Sequence, residues 1–400
     1  MKPLITRDQN HQRLSAKFVL IISLLIILQG CSLFGRDDEE EELLPTELIE
    51  FQGTIDVDER WDVSIGKGHE GLGLALKPTS DGEQIYAASF NGNVAAIELK
   101  RGRKVWKNNF DLQFTSGPTY KNGILVLGTN NGELVALDSM TGEMLWTTSV
   151  SSEVLAPVAI KDDKIFVRTV DGSLSSLSTA DGTQQWIVNH KVPPLSLRGT
   201  STPISFANAV FCGFDDGKVS AYDIEDGTIL WDVMLTAPGG RTEIEKVMDI
   251  DAPMVVSGND LYVGSYQGVV GDLALESGKI VWVVEASVYS GIAADENYVY
   301  TSEADGTVRA FSRFTGREAW TKKYMVNRYP TAPVIMGDSI VIGDLEGYVH
   351  WLAKSTGETQ QRIKISSGKI SNTPLVLNNS IYILTDKGDL ISVEKKIPNS

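Results

Sequence analysis

The residues best suited to chemistry in this 400-residue chain are its two cysteines and four histidines. Cys212 lies in the strand-like stretch V-F-C-G-F, where a single thiol is expected to be buried and structural. The histidines lack the short spacings of a metal centre or a catalytic constellation. They are His11, His69, His190 and His350. The pattern predicts a protein without a catalytic centre, a metal site or a cofactor.

Asp-Gly and Asn-Gly pairs recur along the chain and raise the question of calcium binding. A calcium loop of the EF-hand type would need a D-x-D-x-D-G run with a downstream glutamate, and the sequence has no such run. The same pairs form two-residue hairpin turns, whose backbone requires positive φ. Because the pairs return at a regular interval, we interpret them as turns.

The other cysteine, Cys31, lies near the amino terminus in a pattern with a known chemistry. Four basic residues precede an apolar run at 18–28, which is too short to cross a bilayer and is typical of a secretory signal. The L-Q-G-C that follows resembles the lipobox of bacterial lipoproteins, in which the cysteine becomes the acylated first residue. We therefore predict a signal peptide at residues 1–30 and a lipid anchor on Cys31. Ser32 implies, for this class of lipoprotein, sorting to the outer membrane.

A run of acidic residues follows the predicted anchor. D-D-E-E-E-E at 37–42 has no apolar side chain to bury, so we predict a solvated, self-repelling tether over residues 31–53. The whole chain is also acidic, with a formal net charge of −16 at pH 7. A surface of that sign repels phosphate backbones, which argues against nucleic acid as a partner.

The structural elements that would position a functional site form a repeated pattern along the chain. The pattern N-G-E-L-V-A-L-D-S-M-T-G-E-M-L-W at 131–146 occurs in six versions, each with 14 residues from the first glycine to the tryptophan. A seventh version has Gln361 in place of tryptophan, and an eighth begins at Gly388, close to the carboxyl terminus. Trp61 has no upstream hairpin, so the two termini must complete one unit together. The count predicts an all-β fold over residues 54–397, an eight-bladed β-propeller of four-stranded antiparallel blades, with a ring closed by the amino- and carboxyl-terminal strands.

One unit illustrates the predicted blade. We expect its inner strand near Thr115–Tyr120, its second strand at Ile124–Thr129 and its third at Glu133–Asp138, with an outer strand that ends beyond Trp146. The large tryptophan ring is predicted to pack between neighbouring blades, where it buries much area.

Two successive connections between blades are enlarged; the connection after Trp61 is also long, but its glycine-rich segment offers less chemistry. The interval from a tryptophan to the next hairpin glycine is 26 residues at 146–172, but 31 at 186–217 and 37 at 231–268. Because strands alternate in direction, both enlarged connections must emerge on one face of the ring. The joined surface would present Leu195, Leu197, Ile244 and Met248 beside Arg198, Arg241, Glu243, Asp249 and Asp251. Apolar anchors with a few charges are typical of a protein-binding surface; the alternative is that the leucines pack under their own loop.

The phased A-x-D-x-x-T-G-x-x-x-W repeat resembles that of pyrroloquinoline-quinone-dependent dehydrogenases. It is more similar to that of the BamB family, lipoprotein propellers of the machinery that assembles outer-membrane β-barrels. Four short motifs resemble that family at matching positions: P-L-S-L-R-G, T-E-I-E-K, D-I-D and G-D-L-E-G-Y. The resemblance implies a non-catalytic scaffold, docked on the periplasmic domains of the barrel insertase and held at the periplasmic face of the outer membrane, as a monomer within a hetero-oligomeric complex. The docking residues that it implies are Leu195, Leu197, Arg198, Asp249 and Asp251.

Two other functions stay open. A quinoprotein dehydrogenase would share the repeat, but such enzymes usually have cofactor-contacting insertions, and many have a vicinal disulfide or a C-x-x-C-H haem site; this sequence has neither of these motifs. A chaperone-like protein would bind unfolded barrel strands at an exposed blade edge, although ring closure leaves few free edges. The sequence identifies neither the partner domain that is docked nor a ligand for the central channel.

Overall fold

The computed structural model of the chain describes residues 44–193, 195, 199, 201–235 and 249–396. Several residues singled out above lie outside this part: Cys31, Leu197, Arg198, Arg241, Glu243, Ile244 and Met248. The described residues form eight four-stranded antiparallel sheets and no helix, which confirms the predicted eight-bladed propeller. In this part of the chain, accordingly, no helix is long and apolar enough to span a membrane.

The chain enters the ring through β1 (Val57–Ser64), which belongs to the last blade, and then builds the blades in order. Blade 1 contains β2 (Thr79–Ser80), β3 (Gln84–Ala88), β4 (Asn93–Glu98) and β5 (Lys104–Asn109). Blade 2 contains β6 (Thr119–Lys121), β7 (Ile124–Gly128), β8 (Glu133–Asp138) and β9 (Met144–Ser149). Blade 3 contains β10 (Ala159–Lys161), β11 (Lys164–Arg168), β12 (Ser173–Ser178) and β13 (Gln184–Asn189). Blade 4 contains β14 (Ile204–Phe206), β15 (Ala209–Gly213), β16 (Lys218–Asp223) and β17 (Ile229–Met234).

The second half of the ring follows the same plan. Blade 5 contains β18 (Val255–Ser257), β19 (Asp260–Gly264), β20 (Val269–Ala274) and β21 (Ile280–Glu285). Blade 6 contains β22 (Val288–Ala294), β23 (Tyr298–Glu303), β24 (Val308–Ser312) and β25 (Glu318–Lys322). Blade 7 contains β26 (Val334–Met336), β27 (Ser339–Gly343), β28 (Tyr348–Ala353) and β29 (Thr359–Lys364). Blade 8 contains β30 (Leu375–Leu377), β31 (Ser380–Leu384), β32 (Asp389–Lys395) and β1.

The sequence pattern explains how each blade is layered. The two middle strands, such as β7 and β8, are almost entirely buried and apolar because a neighbouring blade covers each of their faces. The outer strand β9 alternates exposed and half-buried residues, since its edge meets solvent. The turn before it begins at Asp138, whose Oδ1 accepts the backbone N–H groups of Met140 and Thr141 at 2.9 and 2.8 Å. Gly142 completes this turn with a φ of 70°.

The ring is closed by the two ends of the chain. Strand β1 pairs antiparallel with β32, from Val57 opposite Lys395 to Ser64 opposite Asp389. The amino-terminal strand therefore supplies the outer edge of a blade whose other three strands come from the carboxyl terminus. This arrangement confirms the closure that the unpaired Trp61 predicted.

The repeated tryptophans join each blade to the next. The indole N–H of Trp106 in blade 1 donates to the Ser139 carbonyl of blade 2 at 2.9 Å, and Trp146 repeats the bond to Thr179 of blade 3 at 3.0 Å. The ring of Trp106 lies on Gly142, where a Cβ would come within 2.6 Å of it. This turn thus requires glycine for two reasons: its backbone has a positive φ, and the indole ring approaches too closely for a Cβ. The predicted packing between blades is confirmed.

Gln361 takes the tryptophan position at the seam between blades 7 and 8. No hairpin of the usual kind precedes β1, because the chain arrives there from its amino-terminal segment. The Gln361 side-chain amide donates to the Ile55 carbonyl at 2.9 Å, and a Cβ on Gly53 would lie 2.9 Å from the same Nε2 atom. Gln361 and Gly53 therefore reproduce, with a smaller side chain, the hydrogen bond and the glycine contact of the other seams.

The inner strand of blade 2 is shorter than predicted. Thr115–Tyr120 was expected to be a strand, whereas β6 covers only Thr119–Lys121. The preceding residues also bond outside the blade: Gly117 N–H donates to the Ala75 carbonyl at 2.8 Å, and the Thr115 hydroxyl donates to the Val154 carbonyl at 2.7 Å. The ladder ends early because the chain near the central axis must bridge its neighbours on both sides.

Candidate functional site

The two enlarged connections meet on one face of the ring. The first, residues 190–203, leads from β13 to β14, and the second, residues 235–254, leads from β17 to β18. Their described parts touch: a Cβ on Gly199 in the first would lie 2.6 Å from Oδ2 of Asp251 in the second. We call residues 190–203 and 249–254 together the loop pair. The contact agrees with the adjacency that strand alternation predicts.

Leu195 lies on the outside of the loop pair. Its exposed fraction is 46%, whereas the neighbouring Pro193 is half-buried. The leucine therefore does not pack under its own loop, which was the alternative left open by the sequence. Its companions in the predicted docking set, Leu197 and Arg198, are outside the described residues.

Asp249 and Asp251 lie below the surface instead of on it. Asp249 is only 1% exposed, and both carboxylate oxygens of Asp251 are buried without a hydrogen-bond donor among the described residues. Ile250 draws this segment inward, because its side chain packs on Gly213 and its N–H donates to the Phe214 carbonyl at 3.3 Å. The prediction that the two aspartates are exposed is therefore wrong, while their part in docking stays a prediction.

A buried ion pair lies beneath the loop pair. Arg168, the last residue of β11, is 1% exposed, and its Nη2 donates to Asp215 Oδ1 at 2.7 Å. Its Nη1 donates to the Thr169 carbonyl at 2.9 Å, and the guanidinium lies 4.7 Å from the centre of the Phe214 ring. Burial raises the pKa of Asp215, and the charge of Arg168 offsets this only in part. Removing either partner would leave an uncompensated charge in the core.

Sequence reasoning missed this ion pair, although the repeats contain a signal for it. The strands equivalent to β11 mostly end in glycine, at Gly128, Gly213, Gly264 and Gly343. Arginine at that position in blade 3 is therefore an irregularity of the same kind as the enlarged loops. It could have been found by aligning the second strands of the eight units.

His190 fixes the base of the first loop. Its ring stacks on Phe214 with centroids 3.9 Å apart, its Nε2 lies 3.0 Å from Asp216 Oδ2, and its N–H donates to the Gly172 carbonyl at 3.0 Å. Burial disfavours ionisation of Asp216, yet hydrogen bonding from His190 and the N–H of Lys218 outweighs it and lowers the pKa of Asp216. The histidine thus holds the start of the loop against blade 4.

Asp251 is destabilised in its ionised form. Burial, reinforced by the nearby charges of Asp215 and Asp249 and opposed by Arg168, raises its pKa from 3.8 to about 8. Between these two pH values the folded chain binds a proton that the unfolded chain has released. The stability associated with this group is therefore greatest below pH 4 and is lost as the pH rises through 8.

We expect Asp251→Asn to abolish this pH dependence. The variant should unfold at a higher urea concentration than the wild type at pH 8, with a smaller gain at pH 5. Asp226→Asn is a matched control, because hydrogen bonds from Thr228 lower the pKa of this exposed aspartate and no gain at pH 8 is expected. Equal gains for Asp251→Asn at both pH values would contradict the account.

The contacts of His69 do not have the geometry of a hydrolytic centre. His69 directs Nε2 toward both Ser371 Oγ at 3.1 Å and Asp386 Oδ2 at 2.9 Å. In a catalytic triad the serine and the carboxylate bind opposite ring nitrogens. Within the described residues, no three histidine, cysteine or acidic side chains are grouped so that they could hold a metal ion.

Comparison with known proteins agrees with the fold. A family model described as "Outer membrane protein assembly factor BamB" matches residues 90–322. A relative of the same name from Pseudomonas aeruginosa is 43% identical over 94% of this chain and 98% of its own. The crystal structure of BamB from Moraxella catarrhalis superposes with a TM-score of 0.78 at 28% identity, over 85% of this chain and all of that one.

The propeller is shared with enzymes as well. A quinohemoprotein alcohol dehydrogenase from Comamonas testosteroni superposes with a TM-score of 0.70, over 89% of this chain and 80% of that one. At 11% identity that likeness shows the fold alone, since one fold carries many functions. The sequence relatives decide between the two groups: the chain belongs to the BamB family of outer membrane protein assembly factors.

Proposed function

We propose that this protein is a non-catalytic scaffold that docks on the periplasmic domains of the barrel insertase and so promotes the assembly and insertion of β-barrel proteins. The observation that carries the proposal is the exposure of Leu195, at 46%, on a loop whose base is fixed by His190. A loop that is held in place at its base loses less conformational freedom on binding than a free loop, so it binds at a lower entropic cost. Leu197 and Arg198 are proposed to complete the contact surface.

Asp249 and Asp251 act from below in this proposal. Asp251 lies beside the Arg168–Asp215 pair and against Gly199, with Asp249 close to it, so we propose that the two side chains set the position of the loop that presents Leu195. Substitution of either aspartate would weaken docking by moving the loop, without removing an atom that touches the partner. This role as positioning residues suits side chains that are buried before the complex forms.

The membrane attachment belongs to the same proposal. Residues 1–30 would be removed as a signal peptide, Cys31 would be acylated, and residues 31–53 would link the lipid to the propeller at 54–397. Several acyl chains on one cysteine anchor a protein stably, at about 0.8 kcal/mol for each buried CH₂ group. The protein would then be held on the periplasmic face of the outer membrane, as a monomer within a hetero-oligomeric complex.

A second function is favoured by a separate observation. The outer strands of blades 4 and 5 expose apolar side chains, among them Ile229 at 53%, Leu230 at 51% and Val281 at 53%. A chaperone-like protein could add an unfolded barrel strand at such an edge. Hydrogen bonds along the strand would supply affinity, and the apolar side chains would supply contact area.

Photo-crosslinking in cells distinguishes the two functions. A photoreactive residue at position 195 is expected to trap the barrel insertase, while one at position 230, where the leucine is at least as exposed, should not. Adducts to the insertase from position 230 alone would refute docking through the loop pair. Adducts from position 230 to unfolded barrel proteins would support the chaperone-like function.

A further inference from the structure

The motif G-D-L-E-G-Y at 343–348 has no part in the loop pair. It forms the hairpin between β27 and β28 in blade 7. Oδ1 of Asp344 accepts the N–H groups of Glu346 and Tyr348 at 2.9 and 3.0 Å, and its Oδ2 lies 3.0 Å from Nε2 of His350. Burial disfavours the charge of Asp344, but these bonds and Arg328 outweigh it and lower the pKa of Asp344. The motif therefore holds a charged carboxylate in a fixed position, and the loop pair does not explain why.

Arg328 is held by this support in a fixed orientation. It is 2% exposed; its Nε donates to Asp344 Oδ2 at 2.9 Å, and its Nη2 donates to Glu346. One donor, Nη1, points outward and reaches the carbonyl of Thr46 at 2.9 Å. A buried arginine with two acidic partners thus presents a directed hydrogen bond to the amino-terminal segment.

The amino-terminal segment is bound at further points. The N–H and the hydroxyl of Thr46 donate to the Val326 carbonyl at 3.1 and 2.9 Å. Nη2 of Arg362 donates to the Ile49 carbonyl at 3.0 Å, and the same guanidinium lies 5.2 Å from the centre of the Phe51 ring. Arginine stacked on an aromatic ring is a specific and directional contact.

These contacts do little for the core of the propeller. Ile49 is 77% exposed and Phe51 38% exposed, and residues 45–53 belong to no strand. The seam itself is already closed by β1 and by Gln361. Because this segment buries so little apolar area, its binding adds little to the stability of the propeller. That a buried arginine nevertheless binds it is better explained if the contact fixes the position of the segment.

We propose that G-D-L-E-G-Y, with Arg328 and Arg362, is an anchoring site for residues 46–51 that fixes where the membrane tether leaves the propeller. Val326 belongs to the connection between β25 and β26, so Thr46 is held on the face that also carries the loop pair. From Cys31 to Pro45 an extended chain spans at most about 50 Å. The consequence for membrane-bound docking rests on the function proposed above; the anchoring itself does not.

Hydrogen exchange of the mature, acylated protein tests the anchoring. In Arg328→Met, Arg362→Met and Phe51→Ala, exchange of the Thr46 amide is expected to be at least ~10-fold faster than in the wild type. Lys364→Met is the matched control for Arg362→Met. Both side chains lie over the Tyr348 ring, the Arg362 guanidinium 5.8 Å and Lys364 Nζ 5.0 Å from its centre, but Lys364 is exposed, and its loss is expected to leave exchange unchanged. Phe51→Ala removes only a half-buried ring, so it keeps the test valid if Arg328→Met does not fold. Unchanged exchange in Arg362→Met and Phe51→Ala would overturn the anchoring site.

Binding to the insertase, measured on vesicles and in solution, tests whether the anchoring site aids membrane-bound docking. On vesicles that contain the purified insertase, acylated Arg362→Met should bind at least ~10-fold more weakly than the wild type, because a tether free to leave anywhere lowers the effective concentration of a correctly oriented face. The same variant without the acyl group should bind the insertase in solution as the wild type does. Equal binding on vesicles would overturn the positioning role. Failure of the wild type to bind in solution would instead refute the docking function, while the exchange result would still decide the anchoring.

Discussion

Arg168→Met is expected to destabilise the propeller by about 3–5 kcal/mol, because it leaves Asp215 charged and buried without its partner. Arg168 is 1% exposed, and its guanidinium also supports Phe214, on which His190 stacks. The loss should appear as a lower midpoint of urea unfolding with an unchanged slope. The double variant Arg168→Met/Asp215→Leu should recover most of the loss, since it removes both charges from the core.

Arg309→Met is the matched control for this prediction. Arg309 also lies over a phenylalanine ring, 4.5 Å from the centre of Phe311, and also pairs with carboxylates, Glu303 and Glu318. Its side chain is 21% exposed, so solvent screens the pair and we expect a loss of about 1 kcal/mol or less. Similar losses of unfolding free energy in both variants would show that burial does not make the Arg168–Asp215 pair more important for stability.

The fold could be predicted from the sequence because its repeat contains both elements of the seam. A glycine in a turn and a tryptophan in the preceding blade, as in Gly142 and Trp106, form one contact that recurs around the ring. A count of these pairs therefore fixes the number of blades, and the unpaired Trp61 reveals the closure. The length of the inner strand near Thr115 was not predictable, because bonds to neighbouring blades, not local propensity, end it.

The candidate site was predictable only in part. Loop length identified the two connections and the exposed Leu195, since an insertion in a repeat stands out without any structure. The depth of Asp249 and Asp251 was not predictable, because it depends on how Ile250 packs on Gly213 of another blade. The anchoring of Thr46 was hidden for a similar reason: its partner, Arg328, lies 282 residues away in the chain.

Leu195→Ala is expected to weaken binding to the insertase by at least about 2 kcal/mol, or roughly 30-fold in Kd. Leu195 is the proposed apolar anchor of the docking surface, so truncation should remove contact area that the complex buries. Because the side chain is exposed in the free protein, its loss should change the free energy of unfolding by no more than about 0.5 kcal/mol. Affinity and stability are thereby separated in one variant.

Leu230→Ala provides the comparison for this prediction. Leu230 is 51% exposed on β17, the outer strand of blade 4, and so resembles Leu195 in type and exposure but lies outside the loop pair. Docking through the loop pair requires no contribution from it. A chaperone-like function at the blade edge would instead make Leu230 the more important of the two for binding unfolded barrel strands.

The most direct test of the account is the Kd of both variants for the purified periplasmic domains of the barrel insertase, measured in solution beside the wild type. We predict that Leu195→Ala binds about 30-fold more weakly while Leu230→Ala binds like the wild type. Wild-type affinity of Leu195→Ala, with or without a loss in Leu230→Ala, would contradict docking through the loop pair.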